Sequence, residues 1–128
     1  MDLYHQIVMD HYHNPRHRGT LEQPDFDTGQ FNPSCGDVIG MQGTIADGTL
    51  TAIAFTGKGC VISQAAASML CERALGRPIK ELADLSTDDM LNLIQIQLGP
   101  TRLKCALLAL HALQEGIASY QKEHKKED

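Results

Sequence analysis

Tryptophan is absent from this 128-residue chain and aromatic residues make up only 5% of it, so its core must be aliphatic. Basic residues are scarce as well: 11 Lys and Arg stand against 16 Asp and Glu, a net charge of −5. That balance argues against a nucleic-acid partner, because phosphate recognition needs a basic face. No apolar run reaches membrane-spanning length, which argues against a membrane partner. The opening Met1-Asp2-Leu3-Tyr4-His5-Gln6 carries no basic stretch ahead of an apolar one, so no secretory signal is expected and the chain reads as cytoplasmic. Cysteine is rare too, at four residues. In a reducing compartment such cysteines serve metal binding or catalysis more often than disulfides. With 42% hydrophobic residues, positions 1–128 suffice for one domain around a single core.

Helical spacing of Leu3, Ile7, Val8 and His11 predicts a helix over 3–13, stopped at Asn14-Pro15. Residues 14–34 are Pro- and Gly-rich and predict loop, with one short edge strand around Gln30-Phe31. Alternation predicts strands over 38–46 and 49–56, joined by Asp47-Gly48, a pair suited to a two-residue type I′ turn. In that hairpin opposed residue numbers sum to 95, which carries Cys35 opposite Cys60 with Asp37 beside them. A helix is expected from Val61 to about Leu75, ended by Gly76 and Pro78, then a short piece over Ile79–Ala83. Ser86 caps a further helix that Gly99-Pro100 breaks. The last helix, 101–120, shows Leu103, Leu107, Leu110, Leu113 or Gln114, and Ile117 on one stripe, and the tail from about 121 is expected to fray. There is no internal repeat.

What the chain does have is chemically pointed. Cys35 sits in Asn32-Pro33-Ser34-Cys35-Gly36-Asp37, Cys60 in Gly57-Lys58-Gly59-Cys60, and Cys105 in Arg102-Leu103-Lys104-Cys105. Asp37 adds an oxygen donor. Three soft sulfurs and one hard oxygen suit a thiophilic metal, and the odd ligand makes such a site labile. Cys60 falls at a strand-to-helix junction, where free N–H groups and the helix dipole favour a thiolate. Arg102 and Lys104 supply positive charge beside Cys105 and would assist it in the same sense. Cys35, Cys60 and Cys105 are therefore candidate metal ligands with Asp37, and candidate acceptors of sulfur.

Cys71 reads differently. It lies eleven residues after Cys60, roughly 16 Å along a helix, too far to share a mononuclear site, and reads as a core thiol among Met69, Leu70 and Ala74. Of the six histidines, His5, His11, His13 and His17 cluster near the N-terminus, where Pro15 breaks the His13–His17 spacing. They read as solvated or partly packed side chains. His111 points about 120° away from Cys105 on a helix and is not taken as a ligand.

At these residues the chain resembles the U-type iron–sulfur cluster assembly proteins, the group of the NifU N-terminal part, IscU and SufU. The resemblance runs through Tyr4-x-x-Ile7-x-x-Asp10-His11-Tyr12-x-Asn14-Pro15-Arg16 and Asn32-Pro33-x-Cys35-Gly36-Asp37. It continues through Phe55-x-Gly57-x-Gly59-Cys60-x-Ile62-Ser63-x-Ala65-x-Ala67-Ser68-Met69 and Pro100-x-Arg102-x-Lys104-Cys105-Ala106. It implies an α+β fold of the SufE/NifU type, with about three antiparallel strands packed against several helices. It also implies one exposed site of three cysteines and the aspartate, a pyridoxal-phosphate cysteine desulfurase as sulfur donor, an iron donor, and apo iron–sulfur proteins as acceptors. Lys104 stands where the IscU branch has histidine, and Leu98-Gly99-Pro100-Thr101-Arg102 departs from that branch's proline-rich chaperone-recognition segment. The motifs resemble SufU, whereas the 45 positions from Cys60 to Cys105 match the shorter IscU spacing, so both branches stand.

Three molecular roles follow from these residues. In the first, the chain accepts sulfur and builds and releases a nascent [2Fe–2S] cluster on Cys35, Asp37, Cys60 and Cys105. In the second, Zn²⁺ on the same four residues orders the thiolates of a sulfurtransferase, with Cys35 the favoured acceptor. The third is a structural zinc module, disfavoured because a structural site closes with Cys or His in all four places.

Overall fold

A computed structural model describes residues 2–34 and 36–124. The elements, in order, are α1 (Leu3–His13), β1 (Phe26–Asn32), β2 (Asp37–Ala46), β3 (Thr49–Lys58), α2 (Val61–Ala74), α3 (Ile79–Ala83), α4 (Thr87–Ile94) and α5 (Pro100–His124). The strands form one antiparallel sheet in the order β1-β2-β3. The α+β class and three-stranded antiparallel sheet expected from the sequence are both present.

The Asp47-Gly48 turn forms as its chemistry requires, with φ of 52° and 74° at the two residues. Ala46 faces Thr49 and Ile45 faces Leu50, as that turn predicts, but one step further Thr44 faces Ala52. Thr51 is thus an extra residue, a bulge whose hydroxyl donates to the Thr44 carbonyl at 3.1 Å. The bulge has a packing reason. Without it Leu50 would point to the face opposite Ile53 and Phe55, whereas with it all three are buried. The register expected from the turn is corrected by one residue, and the remainder of the ladder follows Val38↔Lys58.

The short edge strand expected around Gln30-Phe31 is a seven-residue strand, β1, paired along its whole length with β2 from Phe26↔Gly43 to Asn32↔Asp37. The free edge of β3 is covered by loop. Phe55 N–H donates to the His17 carbonyl and Gly19 N–H to the Phe55 carbonyl, while Leu50 exchanges bonds with Gly76 and Arg77. Such pairing blunts an edge that would otherwise invite another strand.

The helices cover one face of the sheet. The alanine-rich α2 is buried over most of its circumference, from Ile62 through Cys71, because small side chains let α1, α5 and β3 approach it closely. Its neighbour α4 begins at a capping box: the Ser86 hydroxyl accepts from Asp89 N–H, and the Asp89 carboxylate accepts from Ser86 N–H at 2.7 Å. That helix stops at Ile94, ahead of Gly99-Pro100, because Gln95 turns left-handed at φ 65°. In α5 the buried face is Cys105, Ala106, Leu108, Ala109, Leu110, Ala112, Leu113, Gly116 and Ile117, so Leu110, Leu113 and Ile117 of the expected stripe are buried while Leu103 and Leu107 are only partly covered. The helix continues to His124, beyond the expected end near 120, and the rest of the expected tail, 125–128, lies outside the described residues.

Candidate metal centre

Three elements meet at one end of the sheet. Asp37 opens β2, Cys60 is the N-cap of α2 just past the end of β3, and Cys105 lies in the second turn of α5. A carboxylate oxygen of Asp37 and the sulfurs of Cys60 and Cys105 all lie within 4.8 Å of one another. Asp37 and Cys105 are each 2% exposed, and Cys60 is half-buried, so the group opens to solvent through Cys60. Among the described residues, no disulfide joins Cys60, Cys71 and Cys105 to one another.

Local backbone chemistry builds this junction. At Gly59 the chain leaves β3 with φ 140°, and a Cβ there would stand 2.2 Å from Asp37 Oδ1. Only a residue without a side chain lets the Asp37 carboxylate lie against the strand end. Cys60 N–H then donates to Asp37 Oδ1 at 3.1 Å, and Cys60 Sγ lies 3.0 Å from Oδ2. Burial is the largest single influence on Asp37 and pushes its pKa up. The hydrogen bonds from the Cys60 and Cys105 thiols, the Cys60 N–H and Ser63 together outweigh it and hold the carboxyl below the usual carboxylate range.

Beneath the donors lies a second polar layer. Ser63 Oγ donates to the Cys60 carbonyl at 3.2 Å, sits 3.9 Å from Cys60 Sγ, and accepts from Gln64 Nε2 at 3.1 Å. Ser63 and Gln64 are both buried. Sequence reasoning passes over their side chains. The available signal is two polar residues in the first turn of a stretch otherwise composed of Val, Ile and Ala.

The remaining candidates fall as follows. Cys35 lies outside the described residues; of its neighbours, Gly36 N–H donates to the Asn32 carbonyl at 2.8 Å and Ser34 N–H to Asn32 Oδ1 at 3.0 Å. Arg102 and Lys104 are exposed on α5 near Cys105. Cys71 is fully buried with its sulfur 3.8 Å from Met41 Sδ, and burial pushes its pKa up to about 12. His111 is exposed. His11 is more buried than expected for a partly packed side chain, at 7% exposed: Nδ1 meets Ser68 Oγ at 2.8 Å and Nε2 faces Glu72 at 3.4 Å. A concavity of about 900 Å³ between the β2–β3 turn and the end of α5 is at the opposite end of the sheet from these donors.

Two sulfurs and an ionised carboxylate, converging from separate elements within one coordination span, fit a thiophilic ion or an iron–sulfur unit. Fold and donors together define a small α+β domain of the metal- or cluster-binding class. The chain belongs to the NifU-like N terminal domain family, whose model matches residues 3–127. It is 34% identical over 133 positions to the zinc-dependent sulfurtransferase SufU of Bacillus subtilis (strain 168), covering 91% of this chain and 90% of that protein. It is 32% identical over 130 positions to the iron–sulfur cluster assembly scaffold protein IscU of Rickettsia prowazekii (strain Madrid E), covering 98% of each. The fold matches the crystal structure of a nitrogen-fixing NifU-like protein (N-terminal) from Brucella abortus with a TM-score of 0.76 at 20% identity, over 94% of this chain and 96% of that one. No helix among the described residues is long and apolar enough to cross a membrane.

Proposed function

We propose that this chain accepts sulfur from a pyridoxal-phosphate cysteine desulfurase and assembles and releases a nascent [2Fe–2S] cluster on Cys35, Asp37, Cys60 and Cys105. The observation that carries the reading is the meeting of Asp37, Cys60 and Cys105 donor atoms within 4.8 Å at a sheet end reached from solvent through the half-buried Cys60. Relatives named as cluster assembly scaffolds support it. In the sulfur-transfer step a cysteine thiolate of this chain attacks the outer sulfur of the donor's persulfide. A new S–S bond forms, the donor's S–S bond breaks, and the donor leaves as a thiolate. Thiolates are the ordinary cluster ligands, so the hard Asp37 oxygen is the weakest attachment and the point of release. Arg102 and Lys104 keep positive charge near the incoming anionic sulfur. An iron donor and apo iron–sulfur proteins are the further partners of this reading.

A second reading, a zinc-dependent sulfurtransferase, is favoured by two observations: the similarity to a protein so named, and Lys104 where a histidine would offer a competing nitrogen ligand. Zn²⁺ bound there would supply ordering and protection of the thiolates. Metal content measured alongside desulfurase turnover separates the two. Zinc-loaded protein that accelerates desulfuration supports the transferase, whereas inhibition by zinc with gain of a visible cluster chromophore supports the scaffold. Intact-mass analysis of the Cys35→Ser, Cys60→Ser and Cys105→Ser proteins after mixing with desulfurase and cysteine identifies the acceptor. A persulfide that survives in all three variants removes these residues from the acceptor role. On the scaffold reading Asp37→Ala lengthens the life of a cluster reconstituted anaerobically, followed by its visible absorbance, and a decay as fast as wild type counts against release through Asp37.

A further inference from the structure

Gln64 is an anomaly in the interior. It sits in the first turn of α2 at 4% exposure, beside Ile62, Ala65 and Ala66, where an aliphatic side chain would serve packing. Its Oε1 is buried without a hydrogen-bond partner, lying on the inner face next to Gly57. Such a group is retained when the other end of the amide has a task. That other end, Nε2, donates to Ser63 Oγ at 3.1 Å. Ser63 is itself 0% exposed and has a single proton to give. Within its reach are the Cys60 carbonyl at 3.2 Å, Cys60 Sγ at 3.9 Å and the Asp37 carboxylate. Because Gln64 fills an acceptor position on Ser63, the hydroxyl proton is turned toward the end of α2 where Cys60 and Asp37 meet.

We propose that Ser63 and Gln64 are the positioning pair of this centre, Gln64 aiming the Ser63 hydroxyl so that it supports Cys60 and Asp37 when the bond between them opens. At rest the two hold each other, with Cys60 Sγ 3.0 Å from Asp37 Oδ2. A metal ion or an incoming sulfur that takes the Cys60 thiolate ends its contact with Asp37 Oδ2, so the Asp37 oxygen that is not itself a metal ligand needs a replacement for that one donor. The Ser63 hydroxyl supplies it by rotation about its C–O bond, without backbone movement. Outer-shell donors of this kind typically change metal affinity about 10- to 100-fold when removed.

The test uses Ser63→Ala, Gln64→Leu and Ser63→Thr in the full chain. Two quantities are measured: Zn²⁺ affinity by chelator competition, and the iodoacetamide alkylation rate of Cys60 relative to Cys105 in metal-free protein, resolved by peptide mass spectrometry. Ser63→Ala and Gln64→Leu are expected to weaken zinc about tenfold and to lower the Cys60-to-Cys105 ratio several-fold. Ser63→Thr, which keeps the hydroxyl, restores both. Gln64→Leu is the arm least exposed to misfolding, since leucine is apolar, of similar volume and a good helix former. Wild-type values of both quantities in Gln64→Leu and in Ser63→Ala of unchanged melting temperature would overturn the assignment. The zinc arm rests on the site reading proposed above and the alkylation arm does not. A wild-type chain that binds no zinc would therefore sink the site reading, while the alkylation ratio still decides for or against the pair.

Discussion

Replacing Gly59 with alanine should dismantle the centre while leaving the fold's topology in place. A Cβ at this position would stand 2.2 Å from Asp37 Oδ1, 2.4 Å from Cγ and 2.9 Å from Cβ. An ordinary contact begins near 3.4 Å, so the Asp37 carboxylate must retreat by about 1.2 Å, the difference between 3.4 and 2.2 Å. It has little room, being 2% exposed, and a retreat of that size breaks the 3.1 Å and 3.0 Å contacts with Cys60 N–H and Sγ. Hydrogen bonds to a charged group are worth about 1.5–3 kcal/mol each, and holding a non-glycine residue at φ 140° adds about 1–3 kcal/mol. The sum is about 4–9 kcal/mol if nothing relaxes, and partial relaxation of the loop brings it to about 3–5 kcal/mol. For a domain of this size that is a fall in Tm of about 10 °C or more. Circular dichroism melting of metal-free protein reads this stability loss, and chelator competition reads the accompanying loss of zinc affinity. Gly29→Ala is the control, because its Cβ would meet only the Ile39 carbonyl at 3.6 Å. If Gly59→Ala melts with Gly29→Ala and keeps wild-type zinc affinity, the packing of Asp37 against Gly59 does not matter as argued.

Two further outcomes follow from the buried groups. Burial, and next the Arg16 charge, hold the His11 pKa below its ordinary 6.5 against the opposing pull of Glu72 and Asp10. The folded chain thus binds fewer protons than the unfolded one just below that value, so stability is complete above about pH 6.5 and declines as the pH falls through the folded pKa. Urea unfolding at several pH values should show this decline flattened in His11→Gln; an equal slope in the two proteins removes His11 as its source. Cys71, with its pKa near 12, should resist alkylation at pH 8 until the chain unfolds, and Cys71→Ala should cost about 1–2 kcal/mol without altering zinc affinity. Alkylation of Cys71 in the native protein as fast as Cys60 would contradict its placement in the core.

The centre illustrates how far linear pattern reaches. Glycine before Cys60, the Asp47-Gly48 turn, the Ser86 cap and the helical spacing of α1, α2 and α5 are local signals, and local signals act through backbone preferences that neighbouring residues already encode. They suffice to bring the β2 and β3 ends together, and hence Asp37 beside Cys60. Only the motif around Cys105 marks it as a member of the centre, because its distance from the hairpin depends on how α5 crosses the sheet, and no periodicity reports a crossing angle. β1 is longer than its residues predict for a related reason: it alternates weakly, and its pairing with β2 supplies what its own composition lacks.

Element identity and the choice of thiols and a carboxylate as chemistry were thus written in the residues themselves. Tertiary packing decided the rest. The bulge at Thr51 arises because Leu50, Ile53 and Phe55 must all reach one core. Burial of His11 against Ser68 comes from the docking of α1 on α2, and the inward turn of Ser63 and Gln64 from the burial of α2 over most of its circumference. Each of these depends on contacts between residues distant in the chain, whose free energy exists only once the chain has folded.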